Sequence, residues 1–387
     1  MGLNIFKKGK DTQVEIKASA AARVAVWGSV GRVAWSPRDT VSLTRNGFQG
    51  NPVGFRAVRL IAEAAAALPV LCREDAQRME VHPILALLAR PNQAQGRAEL
   101  LEAVYAQLML AGNAYLEAVQ GDDGGVIELH VLRSDRISLV PGADGWPMAY
   151  DYVVGGRTHR YAAEGICHIK TFHPQDDHYG LAPLQAAATA IDVHNAAARW
   201  SKALLDNAAR PSGAIVYRGA DGAGAMSDDQ FTRLQEELET HHQGARNAGR
   251  PMLLEGGLDW KPMGFSPSDM EFQKTKEAAA RDIALAFGVP PMLLGIPGDA
   301  TYANYAEANR AFYRLTVLPL AQKVLAHMAG WLSGIAGVVV DLEPDLDQVP
   351  ALAMERDSHW RRIAEADFLT EAEKRRLLGL PERSEGA

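Results

Sequence analysis

The chain has 387 residues, which suits two or three folding units, and its 47% hydrophobic and 22% charged content is that of a globular protein and argues against wholesale disorder. The formal net charge is −7. Tight, static binding of nucleic acid needs a basic excess to neutralise phosphates, so that mode is disfavoured while transient contact is not.

Residues 1 to about 45 show no steady periodicity and read as an arm, ordered only if something holds it. Lys7, Lys8 and Lys10 are not followed by the apolar run of a secretory leader, and Phe6 stands where a myristoylation signal needs Ser or Thr. No stretch approaches the ~20 apolar residues of a membrane span. Cys72 and Cys167 each lie in an apolar run and read as small buried residues, and so few cysteines fit a reducing compartment. The chain reads as soluble and intracellular.

After Asn51-Pro52 an Ala-rich helix is expected to Ala67, then a short strand, LPVLCRE. HPILALLARPN gives a short helix broken at Pro91, and RAELLEAVYAQLMLAG a longer one with Leu101, Val104, Tyr105 and Leu108 on one face. Strand patterning follows in AYLEAV, VIELHVL, RISLVPG, AYDYVV and RTHRYAA, with Gly155-Gly156 as a hairpin turn, and EGICHIKTF completes an α+β unit. A long helix rich in alanine runs from about Leu184 until Pro211 ends it, with an apolar face that reads as core or as a close helix contact. A compact insertion, about 211 to 265, contains the strand SGAIVYRG, a helix with Ser227 and Gln230 as its capping box, and the segments RPMLLEGG and LDWKPM.

The stretch from Ser266 to Gly298 carries the strongest signals. Ser266 is a cap, Pro267 suits the first helical position and Asp269 favours the positive end of the helix dipole. Gly288 and Pro290-Pro291 stop the helix hard, leaving a rod of about 21 residues and roughly 32 Å. Glu277 and Arg281 form a favourable four-apart pair on it. Beyond lies a loop, then a helix of nearly thirty residues with a kink expected at Pro319, and the strand GVVVDLEP, expected to rejoin the earlier sheet. The chain ends with a helix over 351–366 and another capped by Thr370 with Glu373 and closed by Gly379 and Pro381.

Chemistry has no visible seat. There is no phosphate loop, nucleophile elbow, His-Glu-x-x-His or dinucleotide fingerprint, and no cofactor is expected. Asp341, Glu343, Asp345 and Asp347 could offer oxygens to a hard cation, but the calcium-loop Gly and terminal Glu are absent. His168, His173 and His178 are five apart, a spacing of no standard ligand pair, and His241-His242 suits a helix C-terminus.

Several motifs in fixed order resemble one family. They are GNAYLE (112–117), HIK then GLAPL (168–184), DNAARPSGAI (206–215), EGGLDWKPMGFSPSDMEF (255–272), ARDIALAFGVPPMLLG (280–295) and ANYAEANRAFYRLTVLPL (303–320). Together they resemble the portal proteins of tailed bacteriophages, specifically the short portals of long-tailed phages, which also occur in gene transfer agents. Family members often have Gly where Ala208 stands and Ser where Ala182 stands.

The resemblance implies an α+β portal fold: an arm (1–45), a wing (46–183 and 305–345), stem helices (184–210 and 266–288), a clip (211–265), a tunnel-loop region (289–304) and a short helical crown (346–387). It implies a homo-oligomeric ring, usually a dodecamer, in a virion or phage-like particle assembled in the bacterial cytoplasm. Double-stranded DNA would pass through it transiently, with terminase, a head-tail adaptor and the major capsid protein as partners and no membrane. Asp299, Thr301, Tyr302, Asn304 and Tyr305 then fall on the tunnel loop, while Lys274, Lys276 and Arg281 on the stem either touch passing phosphates or pair with neighbouring subunits. The competing readings are a head-tail adaptor without a channel, which should lack paired long helices flanking a clip, and a nucleic-acid enzyme, which requires an acid/base or metal set.

Overall fold

The computed structural model describes residues 35–75, 77–122, 124–206, 213–217, 229, 232–233, 258–262, 267–298, 301–378 and 380. The chain divides into residues 1–34 and a unit from Trp35 onward, and the described fold belongs to the second. The capping box at Ser227 and Gln230, the segment 250–257, His241, His242, Ser266, Gly379 and Pro381 lie outside the described residues.

Helix formation begins inside the stretch read as an arm. Helix α1 (Thr40–Leu43) is capped by the Asp39 carboxylate, which accepts from the Ser42 amide at 2.9 Å, and continues as a π-helical turn, Thr44–Gln49. Contacts from far along the chain hold it: Ser36 donates through its amide and its hydroxyl to Asp192, and Arg38 pairs with the same carboxylate at 3.5 Å. Helix α2 (Pro52–Ala66) starts where expected, because the Asn51 side chain accepts from the amides of Val53 and Gly54 and Pro52 is preset for the first turn. Its Ala57, Val58, Ile61, Ala62 and Ala65 form one buried face.

Strands β1 (Val70–Glu74) and β2 (Gln77–Met79) precede helices α3 (Pro83–Ala89) and α4 (Arg97–Ala111). On α4 the expected face, Leu101, Val104, Tyr105 and Leu108, is buried. At about 1.5–3 kcal/mol for each large apolar side chain, faces like this hold the unit together. Strands β3 (Asn113–Gln120), β4 (Val126–Leu132), β5 (Ile137–Pro141), β6 (Pro147–Val154), β7 (Arg157–Ala162) and β8 (Ile166–Lys170) follow. Gly155 and Gly156 both take positive φ, 58° and 76°, as the tight turn between β6 and β7 requires.

The predicted long alanine helix is interrupted at Ala187, giving α5 (Pro183–Ala186) and α6 (Ala188–Asp206). Strands β9 (Gly213–Tyr217) and β10 (Leu258–Pro262) pair antiparallel, and α7 (Pro267–Ala286) follows. Next come α8 (Tyr302–Phe312), a π-helical turn at Tyr313–Val317, and α9 (Leu318–Ala336). The proline expected to kink this helix is accommodated by the wider turn before it, which rearranges the backbone bonding near the carbonyl its ring would crowd. Strand β11 (Val340–Pro344) and helices α10 (Ala353–Ala364) and α11 (Glu371–Leu377) end the described chain. The Thr370 hydroxyl accepts from the Glu373 amide while the Glu373 carboxylate accepts from Thr370, the reciprocal cap that the sequence announces.

Among the described residues three three-stranded sheets form, in the orders β11-β1-β2, β4-β3-β8 and β5-β6-β7. The returning strand β11 joins β1, with Cys72 opposite Leu342, and not the sheet built on β3. Strand β3 is covered on both faces: Ala114 and Leu116 join the main core, while Tyr115 joins a smaller cluster with Leu132, Ile137, Tyr150 and Ile166. Cys72 and Cys167 are both buried and unpaired.

Candidate nucleic-acid interface

Helices α6 and α7 run antiparallel against one another. Trp200, near the end of α6, stacks on Phe272, near the start of α7, with ring centroids 4.3 Å apart and planes 20° apart. Further along the pair, Lys276 lies close enough for its charge to act on His194, where burial is the larger cause holding the imidazole below its usual pKa. Ala188, Ile191 and Ala197 on α6, and Ala279, Ala280 and Ile283 on α7, are buried, and their mostly small size lets the backbones approach. The β9-β10 ladder, with Gly213 opposite Pro262 and Tyr217 opposite Leu258, lies between the two helices in sequence.

Helix α7 has 20 residues, about 30 Å, and ends at the expected stop. Gly288 adopts φ 66°, and its carbonyl accepts from the Thr316 hydroxyl at 2.6 Å. Pro291–Leu294 make a 3-10 turn closed by Gly295 at φ 73°. An open apolar groove of about 290 Å³ lies here, lined by Leu285, Val289, Pro291, Phe312 and Leu315 with Arg281. Leu285 and Leu315 are 78% and 73% exposed.

The segment leading to α8 is tied down at residues the sequence reading did not connect. The Arg281 guanidinium donates to the Pro297 carbonyl, and a Cβ placed on Gly298 would stand 3.3 Å from Arg281 Nη2. Thr301 caps α8, its hydroxyl accepting from the Asn304 amide at 3.2 Å. Thr301, Asn304 and Tyr305 are exposed. Asp299 and the side chain of Tyr302 lie outside what is described.

The three cations on α7, Lys274, Lys276 and Arg281, therefore differ. Lys274 is exposed and makes no hydrogen bond or ion pair among the described residues. Lys276 is half-buried toward His194. Arg281 reaches Pro297 and not Glu277, the partner suggested by four-residue spacing; Glu277 instead accepts from Gln273 at 3.3 Å. No local signal in the sequence marks a contact 16 residues away across a turn.

The weaker constellations have structural partners. Glu343 pairs with Arg73, and Asp345 with Arg78 at 3.5 Å while also accepting from the Asp347 amide and Gln348. No group that could hold a metal occurs among the described residues. His168 stacks on Tyr115 at 4.3 Å, its Nε2 donates to Asn113 Oδ1 at 3.0 Å, and its Nδ1 accepts from Tyr150 at 3.3 Å. Burial, with the nearby charges of Lys170, His178 and His327, pushes its pKa down to about 4. Asn113 Oδ1 also accepts from the Gly180 amide at 2.8 Å, so the GNAYLE, HIK and GLAPL motifs meet at one side chain.

Comparison with known proteins agrees with this architecture. The family model for phage portal protein matches residues 52–379. An uncharacterized protein of Rickettsia bellii is 36% identical over 362 residues, covering 92% of this chain and 93% of that protein. The portal protein of Enterobacteria phage HK97 is 26% identical over 289 residues, 72% of this chain and 66% of that one. A chain in the neck of a native gene transfer agent particle, determined with C12 symmetry, superposes with TM-score 0.75 at 69% identity, covering 91% of this chain and 96% of that chain. The chain belongs to the phage portal protein family.

Proposed function

We propose that this portal protein forms a ring of twelve copies at one vertex of a phage-like particle, the conduit for double-stranded DNA during packaging and ejection. The observation that carries the reading is the antiparallel pair α6 and α7, with the β9-β10 module between them in sequence and a hard stop at Gly288 leading to the exposed start of α8. The C12 symmetry of the neck particle whose chain is 69% identical supports the subunit number and the placement in a particle. In this reading residues 46–183 and 305–345 are the wing, 184–210 and 266–288 the stem, 211–265 the clip, 289–304 the tunnel-loop region and 346–387 the crown. Terminase meets the clip during packaging, adaptors replace it afterwards, and the major capsid protein surrounds the ring.

The function is passage and not catalysis. A conduit must touch phosphates without holding them, and a chain of net charge −7 with isolated cations suits that requirement. Thr301, Tyr302, Asn304 and Tyr305 line the constriction with uncharged polar groups, and Lys274 is the stem cation best placed to meet phosphates. Replacing Lys274, Lys276 and Arg281 singly by Ala and measuring DNA retained per particle tests the lumen role, with the largest effect of a lost phosphate contact expected at Lys274. Unchanged packaging and retention in all three would remove that role. Negative-stain microscopy tests the ring itself: particles with a central hole are expected, and a strict monomer at every concentration and salt, absent from particles, would overturn it.

A further inference from the structure

We propose that Arg281 is a positioning residue, which clamps the Pro297 carbonyl and so sets where the chain leaves α7 on its way to α8. The inference rests on the reading that residues 289–304 belong to the DNA path. Its geometry is specific. Arg281 lies two turns before the stop, and its guanidinium donates to a carbonyl beyond the 3-10 turn. Gly298 lies against the same guanidinium, and a side chain there would crowd Nη2 at 3.3 Å.

The other end of the segment is fixed separately. The Thr316 hydroxyl donates to the Gly288 carbonyl at 2.6 Å, and a Cβ on Gly288 would stand 2.9 Å from that hydroxyl. Residues 288–298 are thus tied at one end to the π turn and at the other to α7 itself. Arg281 also lines the apolar groove, together with Leu285 and Phe312. Arginine suits the task because its donors sit in a planar, preorganised fork. Removing Lys274 deletes a charge, whereas removing Arg281 deletes a strut.

The experiment compares Arg281→Ala, Arg281→Lys and Lys274→Ala in the full chain, reading hydrogen exchange of the peptide over residues 291–298 and DNA retained per particle. Arg281→Ala should raise exchange about tenfold at Ile296, whose amide donates to the Pro291 carbonyl at 3.1 Å, with Lys274→Ala leaving it unchanged. Gly298→Val, which crowds the guanidinium, should raise it in the same direction. DNA retention should fall in Arg281→Ala and stay low in Arg281→Lys, which keeps the charge and loses the fork. Unchanged exchange in Arg281→Ala overturns the clamp. Full retention in Arg281→Lys beside lost retention in Arg281→Ala makes charge the operative property and overturns the positioning role. Raised exchange in Arg281→Ala with unchanged retention in both Arg281 variants upholds the clamp and overturns instead the assignment of this segment to the DNA path.

Discussion

The backbones of Gly112 and Gly180 cross so closely that a Cβ on Gly112 would stand 2.4 Å from the Gly180 carbonyl oxygen, and one on Gly180 2.1 Å from the Gly112 carbonyl oxygen. The crossing joins the end of α4 to the approach to α5 and α6, and the Thr171 amide, donating to the Gly112 carbonyl at 2.9 Å, locks it.

Gly112→Ala should therefore be destabilising on two counts. Its φ of 72° costs a side-chain-bearing residue roughly 1–2 kcal/mol, before any backbone is displaced. Thermal unfolding should show a loss of at least about 3 °C, and Gly180→Ala should lose a similar amount through the clash alone. A midpoint within about 1 °C of the parent for both would contradict the crossing.

The half-buried His168 gives the stability of the unit a pH dependence. Its folded pKa, about 4, lies below the unfolded value near 6.5, so between those values the unfolded chain holds a proton that the folded one does not. The contribution is complete above pH ~6.5 and is lost as pH falls toward about 4, roughly 3 kcal/mol in all. Urea unfolding at several pH values should show this slope, and His168→Gln should flatten it. An equal slope in the variant would assign the effect to other groups.

Trp200 and Phe272 should be energetically coupled, because they stack between α6 and α7. A double-mutant cycle with Trp200→Ala and Phe272→Ala should give a coupling of about 1 kcal/mol, the usual worth of an aromatic pair beyond its buried area. Strictly additive effects would mean that the two rings do not pack together in solution.

The acidic row at the end of the sheet should behave as structure and not as a metal site. Asp345, 3% exposed, holds Arg78, Gln348 and the Asp347 amide. Asp345→Ala should cost about 1–3 kcal/mol by leaving those donors unmatched. Adding calcium or a chelator should leave the parent's unfolding midpoint unmoved; a clear rise with calcium would reopen the cation reading.

Several features were legible from residues alone. Asn51 and Pro52 announce α2, Pro267 and Gly288 bracket α7, Gly155-Gly156 turns a hairpin, and Thr370 with Glu373 caps the last described helix. Each signal acts within four residues or so, because caps, stops and tight turns depend on local backbone conformation and hydrogen bonding. The ordered motifs likewise pointed to the portal family, though not to the separate contacts of the three cations on α7. Long-range contacts were decided only by the tertiary structure. The pairing of β11 with β1, the hold of Asp192 on Ser36, the neutral His168 and the reach of Arg281 to Pro297 all need partners brought together by folding. No period or cap encodes such meetings, since a side chain's partner across space depends on how the intervening chain packs.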